Sequence, residues 1–266
     1  MGKIKIGLII LGSIALVGLV LAGIISAQSD STNPLEGKLI ALDAGHGGDE
    51  LGAQYPANCA SDSSVDCQVY EKNVNLAVVY ALKEKLENAS ATVVLTRKCD
   101  ETISSRKSRV DMAIEECKTL YGRKCDVLVS VHHNGSTDPN YDGLLVIYNE
   151  RQDLLLATVL HDTLWTGLTK PPEPNVYVDE SLDNGGYGIT VYGHLVSALT
   201  EAYYITNDWE AEQYLSAATT TISEYDASSN CSYSVRFGNR VKEEADALYQ
   251  GLYNYFNAPP TKPGRK

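Results

Sequence analysis

From Leu39 onward, short continuous apolar runs alternate with longer stretches whose apolar residues recur at helical spacing. Leu39 to Asp43, Thr92 to Thr96, Val127 to His132, Gly143 to Tyr148, Val176 to Val178 and Val196 to Thr200 read as strands. Lys72 to Asn88 places Val74, Ala77, Val78, Ala81, Leu82 and Leu86 on one helical face, and Ile103 to Lys118, Gln152 to Leu168 and Val235 to Phe256 read as further helices. Lys170 to Pro174 is a loop and Asn184 to Gly188 a turn. The alternation predicts a single α/β domain with a mostly parallel or mixed twisted sheet and helices on both faces. In open sheets of this kind, functional groups collect beyond the carboxyl ends of the strands.

A different pattern precedes the domain. Lys3 and Lys5 lead into an uncharged apolar run from Ile6 to Ile25, about the 20 residues that cross a hydrocarbon core. The two lysines keep the N-terminus cytoplasmic, so the rest of the chain is expected outside. Ile25-Ser26-Ala27 offers a signal-peptidase site, but the run exceeds the usual length of a cleaved signal, which favours an anchor. The expected organisation is therefore a membrane anchor or signal segment over 1–27, a linker over 28–37, a catalytic domain over 38–257 and a disordered tail over 258–266. The domain is expected to be exported and tethered to the outer face of the cytoplasmic membrane, or secreted if the segment is cleaved. Gly2 does not signal myristoylation, because position 6 is Ile where that motif has Ser or Thr.

Composition narrows the function classes. A formal charge of −12 without a clustered basic face argues against a nucleic-acid partner. All 6 cysteines follow the apolar segment, and an even count in an exported chain favours disulfides over free thiols. Spacing suggests Cys59 with Cys67 and Cys117 with Cys125, leaving Cys99 with Cys231, one of the 15 pairings six cysteines allow. Asn88, Asn134 and Asn230 begin glycosylation sequons.

The chemistry gathers at segment ends. The run Leu39 to Leu42 delivers Asp43-Ala44-Gly45-His46-Gly47-Gly48, a histidine in a glycine loop. Glu71 heads the helix at Lys72, His132 closes the strand from Val127, and Glu201 follows the strand from Val196. Two histidines and a carboxylate form a catalytic set for one zinc ion, and a further glutamate can act as general base on water. Each residue also has a plainer reading. His46 fits a surface turn, Glu71 a helix start where the dipole favours a carboxylate, and Glu201 a buried ion pair. A carboxylate in the apolar setting of Glu201 needs a charge partner or a raised pKa. Asp43 is a candidate acceptor for the His46 imidazole, and Asn134 and His194 are candidate cleft-lining residues. His132 and His133 point to opposite sides of a strand, so at most one faces the site.

These motifs together resemble the zinc-dependent N-acetylmuramoyl-L-alanine amidases, a peptidoglycan-cleaving family with a zinc-carboxypeptidase-like α/β fold. The resemblance runs from about Lys38 to Phe256. It is carried by Asp43 to Gly48 with Gly52-Ala53, Glu71 to Leu76, Val94-Leu95-Thr96-Arg97 with Arg109, Ser130 to Asn134, and Glu201 with Thr206-Asn207. It implies His46, Glu71 and His132 as zinc ligands, Glu201 as catalytic acid/base, and a peptidoglycan or related wall polymer as substrate, cut between muramic acid and L-alanine. The chain departs from the pattern at His133, where the family usually has a small residue, at Ala202-Tyr203-Tyr204, and in the Cys59 to Cys67 insert. Two other readings remain open. One is a catalytically silent wall-binding or regulatory module; the other is a zinc peptidase or carboxypeptidase acting on another exported peptide, which would want Arg97 or Arg109 at a terminal carboxylate.

Overall fold

Six strands make the sheet that carries the candidate residues: β1 (Leu39–Ala44), β4 (Thr92–Leu95), β5 (Val127–Asn134), β6 (Leu145–Tyr148), β7 (Asn175–Val178) and β8 (Ser197–Tyr204). The computed structural model describes residues 33–168, 175–178, 188–215, 220–226 and 231–259. Within these, the side chains of 175–178, 220–226, 231–234 and 237 lie outside the description. Ile6 to Ile25, the Lys170 to Pro174 loop, the Asn184 to Tyr187 part of the expected turn, Asn230 and the tail beyond Pro259 also lie outside the described residues. Among the described residues, no helix is long and apolar enough to cross a membrane. Leu35, within the stretch read as linker, is fully buried in the core.

The strand order is β4-β1-β5-β8-β6-β7. Pairing is parallel from β4 through β8 and antiparallel where β6 meets β8, so the sheet is mixed. Alternate side chains enter two separate apolar cores. Ile40, Leu42, Val127 and Val129 face α1 (Glu71–Asn88), α3 (Leu154–Gly167) and α5 (Asn239–Asn257). Leu39, Ala41, Leu128 and Leu199 face α2 (Arg106–Tyr121). Burial on both faces explains why these strands read as continuous apolar runs instead of alternating ones. Each fully buried Leu or Ile contributes roughly 1.5–3 kcal/mol.

Local signals set the boundaries. Ser105 accepts from the Ser108 backbone N–H at 3.1 Å, so α2 starts at Arg106 and not at the expected Ile103. Gly122, at φ 69°, closes the same helix. One helix and two hairpins were not foreseen. Asn207 Oδ1 accepts from the N–H groups of Trp209 and Glu210, capping α4 (Asp208–Leu215). The expected last helix is also shorter, because Val235 to Phe237 belongs to β10 (Cys231–Phe237), which pairs antiparallel with β9 (Thr220–Asp226). Extended pairing wins there over helical spacing, and the helix begins only after Gly238. A short hairpin, β2 (Gln54–Tyr55) with β3 (Val69–Tyr70), frames the insert before Glu71. Cys59–Cys67 and Cys117–Cys125 are bridged as expected. Cys99 is also disulfide-bonded, while the side chain of its expected partner Cys231 lies outside the described residues.

Candidate active site

Three adjacent parallel strands and one helix start bring the four principal residues together. β1 ends at Ala44, and two residues later His46 adopts φ 59°, a left-handed backbone uncommon for a residue with a side chain. That turn lays the imidazole back toward β5. Gly45 permits the approach, because a Cβ there would lie 2.2 Å from the His132 ring. The His46 and His132 rings meet edge to face with centroids 4.9 Å apart. Glu71, the first residue of α1, places its carboxylate between them, with Oε2 3.1 Å from His46 Nε2 and Oε1 3.1 Å from His132 Nδ1.

These three side chains offer ligand atoms that all lie within 4.8 Å of one another. Glu71 keeps its place at the helix start, and its carboxylate is also held by fixed donors. Its Oε2 accepts from the Ala53 N–H at 2.8 Å, and its Oε1 from the His133 N–H at 3.0 Å and the Asn75 amide at 3.2 Å. Burial alone would raise the Glu71 carboxyl, but hydrogen bonding and charge from His132 and His46 outweigh it and hold the group well below the ordinary carboxylate range. Burial also lowers the His132 imidazole, against the opposing pull of Glu71. A neutral imidazole and an ionised carboxylate are the forms that bind metal.

Glu201 stands beside this cluster. It lies inside β8 and not at a strand end, as the register pairs it with His132 on β5 and Leu145 on β6. Its Oε2 is buried and has no hydrogen-bond partner among the described residues. Burial raises the Glu201 carboxyl well above its ordinary value, and repulsion from Glu71 adds to the rise. An unpartnered buried carboxylate oxygen costs free energy unless something else meets it. The donor set of two imidazoles and one carboxylate next to it suits a divalent ion such as zinc. Glu201 also lines both hollows that flank the cluster. One, of about 580 Å³, is walled by Ile103, Arg106, Ile189 and Leu199. The other, of about 520 Å³, is walled by small residues including Ala53, Ala57, Gly135 and Ser136.

The weaker candidates separate. Asp43 does not reach the His46 imidazole, because its oxygens are taken by Arg109 at 3.0 Å, Ser130 at 2.6 Å and Thr96. It acts on the main chain instead, since Arg109 also donates to the His46 carbonyl at 2.6 Å. Asn134 lines the second hollow. His194 is displaced from the site, with its side chain 84% exposed and paired with Glu150. Arg97 donates to the carbonyls of Ala44, Cys99, Gly45 and Lys72, so it holds the His46 loop from behind. Sequence reasoning assigned no part to Asn75, which donates to Glu71, or to Gly52, where a Cβ would lie 2.4 Å from Glu71 Oε2. Asn75 sits one helical turn after Glu71, a spacing that could have flagged it.

Comparison with known proteins supplies an independent line. A family model described as N-acetylmuramoyl-L-alanine amidase matches residues 40–225. A protein of Staphylococcus epidermidis named as the probable cell wall amidase LytH is 32% identical over 133 residues, 50% of this chain and 38% of that protein. The chain thus spans well under half the length of that relative. The uncharacterized protein YqiI of Bacillus subtilis is 26% identical over 204 residues, covering 76% of this chain and 85% of that one. Among solved structures, the N-acetylmuramoyl-L-alanine amidase AmiC2 of Nostoc punctiforme superposes with a TM-score of 0.62 at 21% identity, covering 83% of this chain and 98% of that chain. The catalytic domain of CwlV from Bacillus (Paenibacillus) polymyxa gives a TM-score of 0.60 at 21% identity, covering 83% and 98%. These two likenesses establish the fold.

Proposed function

Given that this chain belongs to the N-acetylmuramoyl-L-alanine amidase family, we propose that it is a zinc-dependent hydrolase of peptidoglycan, cutting the amide between the lactyl group of N-acetylmuramic acid and L-alanine. The observation that carries this reading is the His46–Glu71–His132 cluster with the unpartnered Oε2 of Glu201 beside it. Zinc held by His46, Glu71 and His132 would supply Lewis acidity toward the scissile carbonyl and acidify a water. Glu201 takes the proton of the attacking water and returns it to the leaving amine nitrogen. That two-way transfer needs a carboxyl that holds a proton more readily than a free one, and burial raises the Glu201 carboxyl well above its ordinary value. The two hollows on either side of Glu201 leave room for glycan and peptide to diverge from the scissile bond.

Arg97 and Arg109 direct their donors to backbone carbonyls and Asp43, which leaves the peptidase reading without its carboxylate clamp from either residue. The run from Ile6 to Ile25 supports tethering on the outer face of the membrane, so that the domain works on the wall of its own cell. Protease shaving of intact cells tests that placement, and protection of the domain would contradict it. The activity is tested by incubating the purified protein with peptidoglycan and separating the products by mass. We expect glycan chains bearing free lactyl carboxyls on their muramic acid residues and peptides with an L-alanine N-terminus, lost on chelation and restored by zinc. Cleavage at another bond, or cleavage indifferent to chelator, would refute the reading.

A further inference from the structure

Position 133 carries histidine where the family resembled in sequence usually has a small residue, and its imidazole lies away from the catalytic cluster. The ring is fully buried, 4.4 Å from the Tyr203 ring. Its orientation follows from Asn75. The Asn75 amide nitrogen donates to the Gly45 carbonyl at 3.1 Å and to Glu71 Oε1 at 3.2 Å. Both are acceptors, so the amide cannot be flipped, and its Oδ1 is left to accept from His133 Nδ1 at 2.7 Å. The other ring nitrogen meets Glu244 Oε2 on α5 at 2.9 Å, with neither side chain exposed. A continuous path therefore runs from Glu244 through His133 to Asn75. It ends at Glu71 and at the carbonyl just before His46.

We propose that His133 and Glu244 are positioning residues that lock the Asn75 amide, and through it hold Glu71 and the His46 loop in their metal-binding arrangement. This rests on the metal reading given above. As a stability device the pair is a poor choice, since a buried polar pair is often no better than apolar residues of similar volume. Glu244 Oε1 has no hydrogen-bond partner among the described residues, which adds to the cost. As an orienting device it is apt. Without His133, the Asn75 amide can turn its oxygen toward Glu71 and the Gly45 carbonyl, setting acceptor against acceptor. Outer partners of metal ligands commonly change affinity by about 10–100-fold when removed.

The test uses the full-length protein in detergent and measures zinc affinity by competition with a fluorescent chelator, together with the visible spectrum of the cobalt-substituted form. His133→Ala is expected to weaken zinc binding by about 10–100-fold and shift the cobalt bands. His133→Gln, which can still donate to Asn75 Oδ1, should recover part of the loss. Glu244→Gln should weaken binding less than His133→Ala, and Glu243→Gln, on the exposed side of the same helix, should match the wild type. If His133→Ala does not fold, the volume-preserving Glu244→Gln decides by the same two measurements. Affinities within about twofold of wild type and unchanged spectra in the folded variants would overturn the proposal. Wild-type protein that takes up no zinc would remove the metal reading and this inference together, whereas zinc-loaded wild type with unaffected variants removes this inference alone.

Discussion

His132 and Glu201 are partners in the parallel register of β5 and β8, side by side across two hydrogen-bonded strands. Neighbouring strands lie about 4.8 Å apart, so the proposed proton carrier stands one strand away from a proposed metal ligand without any loop to position it. The register then shifts, since Asn134 pairs with Tyr204. One extra residue on β8 lets Tyr203 join the core under α5 while Glu201 keeps facing the cluster. Glu201→Gln should therefore lower kcat by about 10²–10⁴-fold with zinc content unchanged. Parallel turnover and metal analysis check this, and full activity in the variant would remove Glu201 from its role.

The second prediction concerns the metal-free protein. The folded-state pKa of Glu201 is raised above its ordinary 4.5. Its contribution to stability is therefore present in full below that value and is lost as pH rises through the raised one. Glu201→Gln removes the loss. The metal-free variant should melt above metal-free wild type at pH 7, and the gain should vanish at pH 4. Calorimetry at the two pH values measures both effects.

Asp43 behaves oppositely. Burial would raise it, but Arg109, Ser130 and Thr96 together bring its pKa below the ordinary 3.8. Its stabilisation is present above that value and lost as pH falls through the lower folded one. Asp43→Asn leaves Arg109 buried without its carboxylate, so it should destabilise the domain by roughly 3–5 kcal/mol at pH 7. The acid-side slope of stability should flatten in the same variant. Denaturant titrations from pH 2 to pH 7 give both quantities.

Gly52 tests the shape of the site directly. It has φ 69°, and a Cβ there would lie 2.4 Å from Glu71 Oε2 and 2.8 Å from the His46 ring. Gly52→Ala should keep its fold by circular dichroism yet lose zinc affinity by at least about tenfold, as misplaced ligands do. An alanine variant that binds zinc like wild type would show that the loop relaxes freely.

The Cys117–Cys125 bridge ties the end of α2 to the start of β5 across 8 residues of sequence. Replacing both cysteines by serine should destabilise the domain by about 2–3 kcal/mol through the freed unfolded chain. Zinc affinity should be unaffected, because neither cysteine touches the ligand segments. Unfolding midpoints and chelator competition separate the two outcomes.

The amino-acid sequence by itself determined the alternation of strands and helices, the glycine loop around His46, and the residue types that can grip a metal. These are local: a strand buried on both faces reads as an apolar run, and a ligand motif needs only its neighbours to be seen. It also determined that His132 and His133 face apart, since successive residues of a strand alternate. Tertiary structure alone decided the rest. Whether Asp43 touches the imidazole or Arg109 depends on a partner 66 residues away. The pairing of His133 with Glu244 spans 111 residues and closes only when α5 packs on the sheet. Val235 to Phe237 became a strand because β9 was there to pair with it, and no periodicity within the segment announces a partner. Sequence names the groups that can do chemistry, while packing decides which of them meet.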